Sequence, residues 1–146
     1  MKRFMYITML CIATAALAAG CCNCRSKSRS AASLTGNEWQ LVKLMGQEVK
    51  ASGDSFTLTF GEDGRMNGMG SCNRMFGDYV TTADGKITVD HFGSTRMMCP
   101  DIERENRYFQ TVGLATSYEI DGQTLMLFNN GELQAVFSLK AAAKAE

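Results

Sequence analysis

Histidine is almost absent from this chain, since only His91 among its 146 residues is a histidine. A thiolate at Cys72 or Cys99 would have to use His91 as its base, because nucleophilic catalysis needs a base within hydrogen-bonding reach. A histidine near a sheet edge more commonly makes a structural hydrogen bond. We therefore predict no catalytic residues and do not expect an enzyme.

The chain also lacks an excess of charge of either sign, with 15 basic and 15 acidic residues. Without Lys2 and Arg3, which lie in a segment expected to be removed, 13 basic and 15 acidic residues remain. Such a balance creates no field that would gather nucleic acid, so nucleic-acid binding is not expected. No cofactor is expected either, because the stretch GMGSCN lacks the last glycine and the following helix of a dinucleotide fingerprint.

Carboxylates make no stronger case for chemistry. Asp63 stands in a turn, where aspartate is common. Glu103 and Glu105 fall on the predicted polar side of a helix, so we expect both to be solvated.

The N-terminal apolar run is too short to cross a membrane. It spans 16 residues, Phe4 to Ala19, whereas a membrane span needs about 18 or more. Cations before the run and small residues after it predict a secretory signal peptide over residues 1–20. The residues LAAGC resemble the lipobox of bacterial lipoproteins, with Leu17 one place further from the cysteine than usual. We therefore favour lipidation of Cys21 over ordinary cleavage or an uncleaved helix, and predict a lipid-anchored location at the bacterial outer membrane, facing the periplasm.

The mature chain divides into a tether, a domain and a tail. Residues 21–33 are small and polar without an apolar period, which is typical of a flexible linker. Residues 34–140 form the predicted domain and residues 141–146 a short tail. Cys22 and Cys24 lie in the tether, and the sequence does not decide their redox state.

Short alternating segments predict a mainly antiparallel, curved or barrel-like sheet of seven to eight strands. Phe56, Leu58 and Phe60 share one face of the clearest strand. In a later strand, Ile87, Val89 and His91 are expected on one face, and Thr88, Asp90 and Phe92 on the other. Turns are predicted at the pairs Asp84-Gly85, Asp121-Gly122 and Asn130-Gly131.

One segment has a helical pattern instead. After Pro100, acids occupy the first turn and Gly113 follows as a stop signal, which predicts a helix of about three turns. Its apolar stripe would pack on the sheet, which makes the predicted fold class α+β.

The order of motifs in this domain resembles the META domain, also called the HslJ-like domain. The residues that carry the resemblance are Gly36-x-x-Trp39-x-Leu41, the stretch FTLTFGEDGRMNGMGSCNRMFGDY, STRMMCPD before the helix, and Tyr118-x-Ile120-x-Gly122-x-x-Leu125-x-Leu127. The resemblance covers about residues 34–139. It implies a small, often lipid-anchored envelope protein with a mainly antiparallel fold and one helix, in a family linked in part to heat or antibiotic stress. It implies no catalytic mechanism.

Cys72 and Cys99 are the two cysteines within the domain. Export places them in an oxidising compartment, where two cysteines of one compact domain tend to pair. A Cys72–Cys99 disulfide is therefore predicted, while a reducing habitat would leave the pair open.

Two further interpretations concern binding. Methionine sulfur and histidine nitrogen atoms in or near the segments CNRMFG and TRMMCP are ligands that copper accepts. They suggest an alternative function as a periplasmic copper binder or sensor, with Met75, His91, Met97 and Met98 as the ligands. Methionine is also an adaptable core filler, so we predict no metal site.

The polar motif residues form a second candidate site. Asn73, Arg74, Thr95 and Arg96 could bond within the fold or present a binding patch for an anionic group. The expected function is a non-catalytic, stress-related binding or accessory module, with the membrane and an envelope protein as partners.

Overall fold

The computed structural model describes residues 31–140. The signal segment, Cys21, most of the tether and the tail lie outside these residues. The elements are β1 Glu38–Leu44, β2 Gln47–Glu48, β3 Thr57–Phe60, β4 Arg65–Met69, β5 Arg74–Thr81, β6 Ile87–Ser94, α1 Ile102–Gly113, β7 Ser117–Asp121, β8 Thr124–Asn129 and β9 Glu132–Leu139. The single helix of the described residues is too short and too polar to span a membrane.

The nine strands form one curved sheet in which all paired strands are antiparallel. The strand order is β6-β5-β4-β3-β1-β9-β8-β7, and β2 pairs with β1. An isolated bridge between Lys86 and Ser117 brings the two ends of the sheet together at one point without closing it. This arrangement confirms the predicted α+β fold with one helix on a curved antiparallel sheet.

The concave side of the sheet and one face of α1 enclose the core. Tyr108 and Val112 of α1 are buried, and the Tyr108 hydroxyl donates a hydrogen bond of 2.9 Å to the Thr57 carbonyl. The largest fully buried side chains of the strands are Trp39, Leu41, Leu58, Phe60, Met66, Met75, Leu125, Leu127 and Phe137. Each large apolar side chain buried in this way stabilises the fold by about 1.5–3 kcal/mol.

Strand β5 is the element that the alternating pattern does not reveal. Its inward positions include Met75, Gly77 and Tyr79, while Phe76 and Val80 point outward and are exposed. A glycine at an inward position and apolar residues at outward positions weaken the period of two. The helix follows Pro100 and ends at Gly113 as predicted, and β2 is a further strand of only two residues.

The predicted faces of β6 are correct as far as Asp90 and wrong beyond it. Phe76 pairs with Gly93 and Asp78 pairs with Asp90, so two residues of β6 oppose Gly77 alone. This bulge carries His91 at a φ of 48° and turns its side chain outward. Phe92 then points inward and packs against Phe109 of α1, with 6.2 Å between ring centroids. A β-bulge changes side-chain direction in this way because it adds one residue to one strand.

The three predicted turns are present. At the last of them, Asn130 and Gly131 have φ values of 50° and 83° between β8 and β9. Two consecutive positive φ angles are required by a type I′ hairpin, and Asn-Gly is the pair that adopts them most readily.

Candidate functional site

The two motif segments meet at one end of the sheet. SCNR connects β4 to β5, and STRMMCP runs from the end of β6 to the start of α1. Cys72 and Cys99 form a disulfide whose Cα atoms are 6.2 Å apart and which links positions separated by 27 residues. The predicted pairing is therefore supported.

Glu105 of α1 lies between the two segments and is fully buried. Its Oε2 atom accepts hydrogen bonds from the Ser71 hydroxyl at 3.0 Å and from the backbone N–H groups of Cys72 and Asn73 at 2.9 Å each. The prediction that Glu105 is solvated is wrong, whereas Glu103 is exposed as expected. We call the group Ser71, Cys72, Asn73, Cys99 and Glu105 the Glu105 cluster.

The Asn73 side chain links all three segments of the cluster. Its Nδ2 donates to Glu105 Oε1 at 2.6 Å and to the Met97 carbonyl at 3.0 Å. Its Oδ1 accepts from Thr95 Oγ1 at 2.8 Å and from the Met97 N–H at 2.6 Å. Every buried side-chain nitrogen or oxygen within residues 31–140 has a hydrogen-bond partner. The cluster is thus a satisfied network, which buried polar groups require to avoid a desolvation penalty.

The carboxylate of Glu105 is stabilised by hydrogen bonds and not by a cation. No salt bridge within the described residues includes Glu105. Burial raises the pKa of Glu105, but the combined hydrogen bonds from Cys72, Asn73 and Ser71 lower it further, so that the net pKa lies below its usual value. Hydrogen bonds to the charged form have this effect because they are lost on protonation. Glu105 is therefore an anion at neutral pH.

Gly70 allows the close approach of Glu105. A Cβ atom at this position would lie 2.4 Å from Glu105 Oε2 and 2.5 Å from its Cγ atom. Sequence reasoning missed both residues. For Glu105 the signal was present, because it shares the spacing of i, i+3, i+4 and i+7 with the buried Tyr108, Phe109 and Val112.

The four residues of the predicted binding patch have two different environments. Asn73 is buried, and Thr95 Oγ1 both donates to Asn73 and accepts from the Arg74 N–H at 3.0 Å. The side chains of Arg74 and Arg96 are exposed, and neither guanidinium has a hydrogen bond or salt bridge to residues 31–140.

The two arginines line different grooves. Arg74 borders a groove of about 470 Å³ on the outer face of the sheet, beside Asn67 and Phe76. Arg96 borders a second groove of about 380 Å³ between Met98 and α1. The patch therefore consists of two exposed guanidinium groups in separate grooves, and the groove beside Arg74 also carries the carboxylates of Glu38 and Asp54.

The alternative copper ligands are not brought together. Met75 is buried in the core, whereas His91 is exposed and pairs with Asp78 through a contact of 3.0 Å. Met97 and Met98 lie in the loop before α1. Within the described residues, the only group of three or more His, Cys, Asp or Glu side chains with ligand atoms within 4.8 Å of one another is Cys72, Cys99 and Glu105, where the two sulfurs are bonded to each other.

Solved structures with a similar fold come from different bacteria. A protein from Burkholderia xenovorans, solved by NMR, is 23% identical, with a TM-score of 0.58 over 75% of this chain and 85% of that one. A crystal structure of a DUF4847 family protein from Bacteroides vulgatus is 16% identical, with a TM-score of 0.58 over 72% of this chain and 93% of that one. At such identities the similarity supports the fold alone.

A third solved structure, also determined by NMR, is 22% identical, with a TM-score of 0.58 over 70% of this chain and 88% of that one. No curated protein matches the chain. The META domain family matches residues 32–142, which include both motif segments, α1 and every strand. The chain belongs to the META domain family.

Proposed function

We propose that this protein is a lipid-anchored protein of the bacterial cell envelope whose META domain is a non-catalytic, stress-related binding or accessory module. The observation that carries the proposal is that the polar groups of the Glu105 cluster are occupied in joining three segments of the fold. Glu105 is fully buried within this network, so its carboxylate has no access to a substrate. His91, the candidate base, has no thiolate to activate at Cys72 or Cys99, because these two cysteines are joined in a disulfide.

The free arginines beside the cluster are the groups available for binding. Arg74 and Arg96 are exposed and without acidic partners among the described residues. Their guanidinium groups can bind a carboxylate or another planar anion through paired hydrogen bonds. An acidic segment of an envelope protein has the chemistry that this surface would recognise.

The position of the cluster agrees with an anchor at Cys21. Thr35, close to the point where the chain enters the domain, bridges Phe60 at the end of β3. Met69, just before the cluster, pairs with Thr57 at the start of β3. The entry point and the cluster thus lie at opposite ends of this strand, so a tether from the membrane would leave the cluster side open to a partner.

The anchor can be tested with a pair of neighbouring cysteines. We expect Cys21→Ser to abolish incorporation of radioactive palmitate and to release the protein from the membrane fraction. Cys22→Ser is the matched control and should remain in the membrane fraction. Retention of Cys21→Ser in the membrane with unchanged mass would refute lipidation.

Binding can be tested by crosslinking in intact cells. We expect the wild-type protein to form a reproducible crosslinked product, and Arg74→Glu/Arg96→Glu to lose it while keeping its melting temperature. Arg107→Glu is the matched control, because Arg107 is an exposed arginine of α1 that lines other grooves. Equal crosslinking of all three proteins would refute a role for the two motif arginines, and failure of the wild type to form any product would refute the binding proposal.

The role in stress has a separate test. We expect deletion of the gene to lower survival under heat or antibiotic treatment and the wild-type protein to restore it. Survival equal to that of the parent strain under both treatments would contradict this part of the proposal.

A further inference from the structure

The methionines of the domain differ widely in exposure. Met66 and Met75 are each 1% exposed in the core, whereas Met97 is 54% and Met98 96% exposed. Met45, in the turn between β1 and β2, is 58% exposed. Met97 and Met98 are therefore two adjacent thioethers on the surface, and Met98 is almost completely open to solvent.

This exposure is built into the fold. The Met97 N–H and carbonyl both bond to the Asn73 side chain, at 2.6 and 3.0 Å. Cys99, the residue after Met98, is joined to Cys72. A loop fixed on both sides of Met98 presents its side chain outward without local unfolding.

We propose that Met98 is a site of reversible methionine oxidation by peroxides. In the reaction, the thioether sulfur attacks one oxygen of hydrogen peroxide, the O–O bond breaks and an S–O bond forms. The sulfur gives two electrons to the peroxide and becomes a sulfoxide. The leaving hydroxide takes up the proton of the transferred oxygen and becomes water. Susceptibility to this reaction follows exposure. Methionine sulfoxide reductases reverse it with a dithiol reductant, which is oxidised to a disulfide while the sulfoxide oxygen leaves as water.

Oxidation at this site changes the surface and leaves the core intact. A sulfoxide oxygen on Met98 points into solvent, so it buries no new polar group. It does convert the apolar edge of the groove beside Arg96 and Phe109 into a polar one. The same oxygen on Met66 or Met75 would stand in the core without a partner, which is unfavourable.

The inference is tested on the full-length protein with its disulfide intact. The protein is treated with dilute hydrogen peroxide for increasing times, digested, and each methionine peptide is measured by mass spectrometry. We expect Met98 to be oxidised first, at least about tenfold faster than Met66 and Met75. The melting temperature should stay unchanged while Met98 is oxidised, and the reductases should remove the added oxygen.

Two controls separate the folded structure from intrinsic reactivity. In urea, all of these methionines should react at similar rates, because the difference arises from burial. Met98→Leu should lose the fastest phase of oxygen uptake while Met45 still reacts. The inference is overturned if Met45, Met66 or Met75 is oxidised before Met98 in the folded protein, or if the order is the same in urea.

Discussion

Carboxylates of this domain are stabilised in two contrasting ways. Glu105 is buried and accepts hydrogen bonds from neutral donors. At the other site, Lys140 Nζ contacts Glu38 Oε1 at 3.0 Å and Asp54 Oδ1 at 2.7 Å on the exposed surface. Water and salt screen the exposed ion pairs, whereas the buried carboxylate depends on directed contacts that water cannot replace. Burial, more than formal charge, therefore decides which carboxylate matters for stability.

The largest effect is expected for Glu105→Ala. The substitution leaves the Ser71 hydroxyl, two backbone N–H groups and the Asn73 amide without their acceptor. Unsatisfied buried donors each cost roughly 1–3 kcal/mol, so we expect a loss of about 4 kcal/mol in the free energy of unfolding. Urea unfolding can be followed by the fluorescence of Trp39, the single and fully buried tryptophan.

Glu103→Ala is the matched control, because Glu103 is an exposed glutamate two residues earlier on α1. This substitution should change the free energy of unfolding by no more than about 0.5 kcal/mol. Equal losses for the two alanine variants would contradict the contrast between buried and exposed carboxylates.

The next effect concerns the disulfide of the cluster. Cys72→Ser/Cys99→Ser removes a link between residues that are 27 positions apart. The chain-entropy relation gives about 3.5 kcal/mol for a loop of this length, before any compensation within the folded state. Urea unfolding with and without dithiothreitol measures this contribution of the disulfide to the free energy of unfolding. The reductant should destabilise the wild type and leave the double variant unchanged, and a wild type that is insensitive to a reductant shown to open the bond would contradict the prediction.

Gly70→Ala should have an intermediate effect. The new methyl group would meet the Glu105 carboxylate at 2.4 Å, so the cluster or α1 must shift. Overpacking of this kind costs about 1–3 kcal/mol. Gly113→Ala is the control, because its methyl group would lie 3.5 Å from Phe92, an ordinary contact. Melting temperatures of the two variants measure the difference. A lower melting temperature for Gly113→Ala than for Gly70→Ala would contradict the predicted conflict with Glu105.

Most of the fold could be predicted from the sequence because alternation and turn residues act locally. Leu58 and Phe60 lie on the buried face of one hairpin, and Asn130-Gly131 forms the turn of another. Phe56 is also buried, but its φ of 53° places it outside β3, so its predicted place in the strand is wrong. The bulge at His91 could not be predicted, because it depends on the register between β5 and β6 and therefore on non-local pairing.

The candidate site was only partly predictable. The Cys72–Cys99 pairing could be predicted from the two cysteines of the domain and from the expectation that the chain is exported. The burial of Glu105 does not, because its donors lie in a loop more than 30 residues earlier. A charged residue on a helix is usually solvated, so only its position in the apolar stripe of α1 argued otherwise.

Acid should weaken the domain partly through Glu105. Because hydrogen bonds hold the pKa of Glu105 below its usual value of 4.5 in the folded protein, the unfolded chain binds its proton more readily. The resulting stabilisation is complete above the usual pKa and is lost as the pH falls through the folded pKa. It is smaller than the effect of Glu105→Ala, since only the difference between the two pKa values contributes.

The test of this pH dependence compares the unfolding free energies of the wild type and Glu105→Gln at pH 6 and pH 3. Asp54 also has a lowered pKa, because of its hydrogen bond to Lys140, so both proteins should lose some stability in acid. The loss should be smaller for Glu105→Gln. Equal losses would mean that Glu105 titrates alike in the folded and unfolded states.

The smallest effect is expected at the exposed ion pairs. Lys140→Met removes the cation between Glu38 and Asp54 but leaves both carboxylates free to bind water. Exposed pairs contribute little, and salt near 1 M reduces the Debye length to about 3 Å, so any shift in melting temperature should vanish at high salt. The shift caused by Glu105→Ala should persist at the same salt concentration, because ions do not reach a fully buried carboxylate. A drop in the melting temperature of Lys140→Met that does not depend on salt would contradict this prediction. It would mean that the ion pairs of Lys140 with Glu38 and Asp54 stabilise the fold in the same way as the buried Glu105 cluster.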